Sequence, residues 1–250
     1  MTESYKALCT DVYVNQKVAL KMDLPRTRET ILDLFDRIRR QFPRMDQFRR
    51  YRDELALESD PDDGAYSWVA IRSSSIRSGV VNPEESADGY RLHRCLLEIA
   101  PYFLSVSPLD VDYVELLYGF DLAAGGNHDQ IVFEALIAGS PLAGLLDAHD
   151  STVSDCQPLF GIAVGEEGRV DAQFEVKTRG RRRQVRGPGA EQTPEPISVY
   201  LTVRRYGPVG DVKDLPEVFN ELVAHGEELV GSSVIPGLVI PIRQAITMSS

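Results

Sequence analysis

Long apolar runs, clustered cysteines and a basic leader are what this 250-residue chain has least of. No uninterrupted apolar run approaches the roughly 20 residues that a membrane helix needs. Residues 1–8 do not join a basic stretch to an apolar one as a secretory signal does. The expectation is a cytoplasmic protein with no membrane contact. Cys9, Cys95 and Cys156 are odd in number and far apart, which argues against a disulfide framework and a local metal motif. Among His93, His128, His149 and His225 no pair stands at a metal-ligand spacing. There is no Gly-x-Ser-x-Gly elbow, and Gly187-Pro188-Gly189 lacks the Gly-Lys-Ser/Thr ending of a phosphate loop. The sequence predicts no metal and no cofactor, and it points away from catalysis.

Basic charge is also in deficit: 27 Lys and Arg against 38 Asp and Glu leave a net charge of -11. Such a surplus repels nucleic acid at long range. What the chain does have is an ordinary globular composition, 43% hydrophobic and 26% charged, which excludes a wholly disordered chain and suffices for a real core.

The first segment alternates with period two. Val12, Val14, Val18, Leu20 and Met22 share one parity while Asp11, Tyr13, Asn15, Lys17 and Lys21 take the other, the pattern of a strand with one buried face. Thr27 then caps a helix in which Ile31, Leu34, Phe35, Ile38 and Phe42 recur at helical steps before Pro43. Residues 52–58 and 65–76 read as a hairpin around Asp60-Pro61-Asp62-Asp63-Gly64. Asn82-Pro83-Glu84-Glu85 reads as a helix start, with Leu92, Leu96, Ile99 and Phe103 as its stripe and Pro101 as its end or bend. Val114 to Leu122 alternates again. Residues 8–122 thus read β-α-β-β-α-β, the order of the ferredoxin-like split βαβ arrangement.

Asn127 to Leu146 reads as a helix broken at Gly139-Ser140-Pro141, and residues 147–157 as a linker. A second unit opens with a hairpin, Phe160, Ile162 and Val164 returning through Val170, Ala172, Phe174 and Val176. A further strand carries Ile197, Val199, Leu201 and Val203, and residues 179–196 between them should form a mobile excursion. Asp214-Leu215-Pro216-Glu217 resembles a capping box ahead of a helix bearing Val218, Phe219, Leu222 and Val223. Residues 234–246 are almost continuously apolar, but Pro236 and Pro241 argue against both a central strand and an unbroken helix. Either the body of the chain or a partner must cover them. The expected architecture is α+β: a ferredoxin-like unit over residues 1–146, the linker 147–157, and a smaller antiparallel sheet-plus-helix unit over 158–250.

Residues 86–247 resemble a sporadically distributed, uncharacterised bacterial family of similar length. The resemblance rests on the hairpin, strand and capped helix, on the ending Ile240-Pro241-Ile242-Arg243-Gln244-Ala245-Ile246-Thr247, and on Leu116-Leu117-Tyr118-Gly119-Phe120-Asp121. The last stands where that family carries a Leu-Arg-Tyr-like strand, with Leu117 in place of the arginine. The family implies no active site.

Charge distribution points further than any motif. Residues 177–186 carry Lys177, Arg179, Arg181, Arg182, Arg183 and Arg186 with no acid, and residues 21–52 carry ten bases against five acids. The function expected is non-enzymatic binding or assembly with a protein partner, including a second copy of the chain. The contact would be the apolar tail at Leu238, Val239 and Ile240 and the loop at Arg181, Arg182, Arg183 and Arg186. The alternative is nucleic-acid binding through that loop and Arg37, Arg39 and Arg40, since guanidinium forks match phosphate oxygens. Against it, no aromatic residue interleaves the 177–186 cluster. A third reading is an enzyme with a site near His128 and Asp129, which follow Gly125-Gly126-Asn127 at a strand-to-helix junction. The plainer alternative there is a glycine turn with Asn127 as the helix cap.

Overall fold

The computed structural model describes residues 5–61, 64–146, 152–165, 169–178 and 195–249. In chain order the elements are β1 (Asp11–Leu20), α1 (Arg28–Gln41), β2 (Met45–Arg50), β3 (Leu55–Ser59), β4 (Tyr66–Arg72), β5 (Ser75–Val81), α2 (Ser86–Phe103) and β6 (Val111–Leu122). They continue with α3 (His128–Leu136), β7 (Leu159–Val164), β8 (Val170–Lys177), β9 (Ile197–Tyr206), α4 (Leu215–Leu229), a π-helical stretch (Val230–Val239) and α5 (Ile240–Ser249). Among the described residues nine strands form one sheet in the order β2-β3-β4-β5-β1-β6-β9-β8-β7. Every neighbouring pair is antiparallel.

The fold is therefore α+β, with a large antiparallel sheet and a helical C-terminus. The ferredoxin-like order expected for residues 8–122 is corrected in two respects. Four strands, not two, lie between α1 and α2, and β1 pairs antiparallel with β5, which leaves no parallel βαβ crossover. The expected strand over 65–76 is in fact two, folded back on each other at Ser73-Ser74. The expected units 1–146 and 158–250 share the sheet, because β6 pairs with β9 from Tyr113↔Tyr206 to Leu122↔Ile197.

Alternation sorts the sheet into two faces. Val12, Val14 and Val18 of β1 share one face with Val114, Leu116, Tyr118 and Phe120 of β6 and Val199, Leu201 and Val203 of β9, all buried. Helices α1, α2 and α4 pack over it, and Ile31, Leu34, Leu92, Leu96, Leu97, Phe219 and Leu222 complete the core. Thr27 caps α1 as expected, its hydroxyl accepting from the Thr30 N–H. α2 begins at Ser86 instead of Asn82. Asn82 holds φ +48°, and its side chain accepts from the Val12 N–H while donating to Asp11 Oδ1. It closes the strand end and leaves the helix to begin later.

The topology repeats. The run β1-α1-β3-β4-β5-α2 recurs as β6-α3-β7-β8-β9-α4, with β2 extra, and the strand order is mirrored about the β1/β6 pair. Details recur with it. Thr27 and Asn127 cap α1 and α3. At the strand-to-helix junctions a residue with positive φ precedes proline, Asn82-Pro83 and Gly207-Pro208. Asn82 N–H donates to Val12 O at 2.7 Å, and Gly207 N–H to Asp112 O at 2.8 Å.

The apolar tail is helical throughout. Val212–Ser249 is long and apolar enough, by length and composition, to cross a membrane. Much of its apolar stripe nevertheless lies in the core: Val230, Val234, Ile235, Val239, Ile242 and Ala245 are buried. Helical geometry survives the two prolines because the register widens. Pro236 sits inside the π-helical stretch, which closes with Ile240 N–H donating to Ile235 O, and Pro241 falls in the first turn of α5.

A polar cluster lies under the β1–β5 pair. Ser78 Oγ donates to Gln16 Oε1 at 2.9 Å and meets His93 Nδ1 at 2.8 Å, with His93 fully buried against Phe219. Burial pulls the imidazole down from 6.5 to about 3. Between those values the unfolded chain binds a proton that the folded chain refuses. This group's contribution is thus whole above pH 6.5 and is lost as the pH falls toward 3. The unfolding free energy of the protein, relative to a His93→Asn variant, should fall by about 2 kcal/mol between pH 7 and pH 5. Urea denaturation at the two pH values checks this, and a constant difference would contradict it.

Candidate functional site

The residues singled out by sequence fall in three places. Arg181, Arg182, Arg183 and Arg186, with the rest of 179–194, lie outside the described residues. Leu238 and Ile240 are half-buried against the core and Val239 is fully buried in it, so these side chains meet their own chain. In α1, Arg39 and Arg40 both pair with Asp36, at 3.0 and 2.7 Å, and are exposed.

His128 and Asp129 stand at the start of α3, where Asn127 Oδ1 accepts from the Asp129 and Gln130 N–H groups. The glycine turn with an asparagine cap is what the structure holds. His128 Nε2 lies 3.0 Å from Ala124 O. Asp129 is buried, accepting from the Cys156 N–H at 3.0 Å and from the Thr178 hydroxyl. Asn127 Nδ2 donates to Val153 O. Together these bonds tie α3 to the end of β8 and to the segment after residue 151. All three cysteines are free thiols, and no group of metal-ligating side chains occurs among the described residues.

The second face of the sheet is different. It carries Tyr66, Trp68, Arg72, Arg77, Tyr13, Lys17, Tyr113, Glu115, Tyr200, Arg204 and Tyr206. These side chains are half-buried to exposed, and no helix among the described residues lies over them. Two glycines let rings lie flat here. A Cβ on Gly119 would run into the Tyr13 ring, and one on Gly79 into the Trp68 indole. Tyr13 packs edge-on to Tyr200 at 6.3 Å and bonds Asp121 Oδ1 at 3.3 Å. Cations lie over the rings: Arg204 is 4.5 Å from the Tyr113 centroid, Lys17 4.8 Å from the same ring, and Arg77 5.5 Å from Trp68.

At one end of this face the β4–β5 turn, β1 and β6 border a half-open hollow of about 600 Å³. Lys17, Arg72 and Arg77 line it together with Ser73, Ser74, Ser75 and Tyr113, while Asp53, Asp112 and Glu115 supply acid. Glu54 Oε2 receives Arg72 at 2.7 Å and Arg77 at 3.6 Å. Glu115 is held by Arg204. Lys17 hydrogen-bonds the Tyr113 hydroxyl and makes no ion pair among the described residues. Burial lowers the Arg77 pKa, and the Arg72 charge lowers it further. Sequence reasoning missed this site because its walls come from strands far apart in the chain. Its one local signal is the run Arg72-Ser73-Ser74-Ser75-Ile76-Arg77.

Neither a protein-family model nor a curated protein matches this sequence. Among solved structures it is similar to the crystal structure of the di-domain ARO/CYC BexL from the BE-7585A biosynthetic pathway, at 8% identity over 94% of this chain and 98% of that one, with a TM-score of 0.20. A superposition that loose carries no argument about fold or function.

Asp129 is thus a structural acceptor. Asp129→Ala strands a buried N–H and a hydroxyl and should cost about 1–3 kcal/mol of stability in urea denaturation. Asp129→Asn, which keeps one carbonyl acceptor, should cost less. Equal losses in the two variants would show that the carboxylate charge, not the acceptor geometry, matters.

Proposed function

We propose that this chain is a binding and assembly protein whose protein partner is a second copy of itself, joined along β7. The observation that carries the reading is the contrast between the two sheet edges. Exposed strand edges template pairing with another chain, and proteins guard them with charge and bulges. The β2 edge has both: Asp46, Arg49 and Arg50, and a register shift between Met45 and Gln47. The β7 edge, Leu-Phe-Gly-Ile-Ala-Val, carries no charge and no register shift, and exposes Leu159 at 58% and Phe160 at 65%.

A second copy is the favoured occupant because two uncharged strands meet antiparallel without like-charge repulsion. Residues 177–186 carry six positive charges on a chain of net charge -11, so opposite charges on two copies favour self-association in general. The half-buried Leu238 and Ile240 contribute less to this reading than the tail's apolar sequence suggested, since the core already holds most of their surroundings. The resemblance to a sporadic bacterial family is compatible with it and adds no chemistry.

Light scattering on the full chain should give about twice 27.8 kDa. Ala163→Lys, at an exposed position of β7, puts a charge on each of the two paired edges, as natural edge strands do to block pairing, and should return the mass to 27.8 kDa with the fold intact by circular dichroism. Arg49→Ala on the β2 edge should leave the mass unchanged. A wild-type chain that stays monomeric, or a dimer indifferent to Ala163→Lys, overturns the reading.

A further inference from the structure

The hollow on the helix-free face carries a charge arrangement that the fold does not require. Lys17 and Arg77 are direct cross-strand partners between β1 and β5, and like charges at such positions are destabilising. Arg72 adds a third cation, and both guanidiniums share one carboxylate oxygen, Glu54 Oε2, with Arg77 also lying over the Trp68 ring. Glu115 is the cross-strand neighbour of Lys17 on its other side, yet its carboxylate is engaged by Arg204.

The second half of the chain shows that other residues fill these places. Aligning the helix caps Thr27 and Asn127, and the junctions Asn82-Pro83 and Gly207-Pro208, puts Leu117 where Lys17 stands and Thr202 where Arg77 stands. Leu117 and Thr202 are likewise cross-strand partners. One half therefore holds this rung with a leucine and a threonine, and the other with two cations beside three consecutive serines.

We propose that Lys17, Arg72, Arg77 and the Ser73-Ser74-Ser75 turn bind the phosphate of a small phosphorylated metabolite. Guanidinium and ammonium groups with hydroxyl donors are the groups that hold a tetrahedral oxyanion. Burial, more than the Arg72 charge, lowers the Arg77 pKa, while Glu54 and Glu115 raise it; an added anion would favour the charged guanidinium in the same direction. The hollow, at about 600 Å³, has the size of a small-molecule site and exceeds what phosphate alone would fill. The rest of the ligand would lie toward Tyr113 and toward Asp53 and Asp112, both exposed acceptors on the wall. A remainder rich in hydroxyl groups suits them, and a second anionic group does not. The inference is independent of pairing along β7, which lies at the far edge of the sheet.

Titration calorimetry on the full chain, with ribose 5-phosphate, inorganic phosphate, ribose and gluconate as probes, tests it. Ribose 5-phosphate should bind more tightly than inorganic phosphate, and ribose and gluconate should give no measurable heat. Lys17→Gln and Arg72→Gln should each weaken ribose 5-phosphate about tenfold or more, while Arg49→Gln, on the same face but outside the hollow, should not. Arg72 is half exposed, so its variant keeps the test valid even if Lys17→Gln disturbs folding. Absence of phosphate binding, affinity unchanged in Arg72→Gln, or gluconate binding as well as ribose 5-phosphate would overturn the proposal. Inorganic phosphate binding as tightly as ribose 5-phosphate would overturn the assignment to a metabolite.

Discussion

The antiparallel ladder between β1 and β6 joins the two halves of this molecule, and the rest of the architecture hangs on its register. It pairs Val18 with Val114, Gln16 with Leu116, Val14 with Tyr118 and Val12 with Phe120 on the helix-covered face. On the open face it pairs Tyr13 with Gly119 and Lys17 with Glu115. Because side chains alternate, a slip of one residue would carry Val12, Val14 and Val18 out to solvent and Tyr13 and Lys17 into the core. Tyr13 adds a lock, since its ring lies where only a glycine leaves room. Each half then grows outward from its own central strand. The mirrored strand order follows from repeating one winding rule on both sides of this ladder.

Two faces with different chemistry are the functional consequence. The covered face is closed by helices from both halves, and Gly226 of α4 lets Tyr118 approach the helix backbone, where a Cβ would collide with its ring. Tyr118, Tyr90 and Glu227 are then linked by hydrogen bonds of 3.1 and 3.2 Å. The open face has flat aromatic rings, cations lying over them and ion pairs between neighbouring strands. Ion pairs as exposed as Arg72 with Glu54 contribute little stability on their own, so the sheet does not depend on this polar display for its cohesion.

Much of this was legible in the sequence wherever one face of an element is buried. The alternation of β1, β6, β8 and β9 and the stripes of α1, α2 and α4 gave those elements correctly, and the caps at Thr27 and Asn127 did the same for two helix starts. What escaped has physical reasons. β2 is an edge strand whose residues are mostly polar, so it has no apolar parity to detect. β4 and β5 ran together because the Ser73-Ser74 turn contains neither glycine nor proline. The tail looked irregular because two prolines break the α-helical register, which the chain accommodates by widening it. The repeat is carried by topology, two caps and two positive-φ junctions, with little side-chain identity between halves. The hollow is assembled from outward residues of four strands, each looking like ordinary solvated alternation when read alone.

The polar cluster under the sheet bears on the hollow above it. Gln16 and Ser78 are cross-strand partners on the covered face, one residue along from Lys17 and Arg77 on the open face. Gln16, Ser78 and His93 are buried polar groups in an apolar layer, and Gln16 Nε2 has no hydrogen-bond partner among the described residues. That is a cost with no return in burial. Its return is register. The Ser78 hydroxyl meets both Gln16 on β1 and His93 on α2, and only one alignment of β1 against β5 allows both contacts. A displaced alignment would leave these polar groups unpaired in an apolar layer, and that desolvation cost penalises the displaced pairing. The same alignment sets Lys17 opposite Arg77 and brings both beside the serine turn. The buried hydrogen bonds thereby hold two like charges together on the opposite side of the same pair of strands.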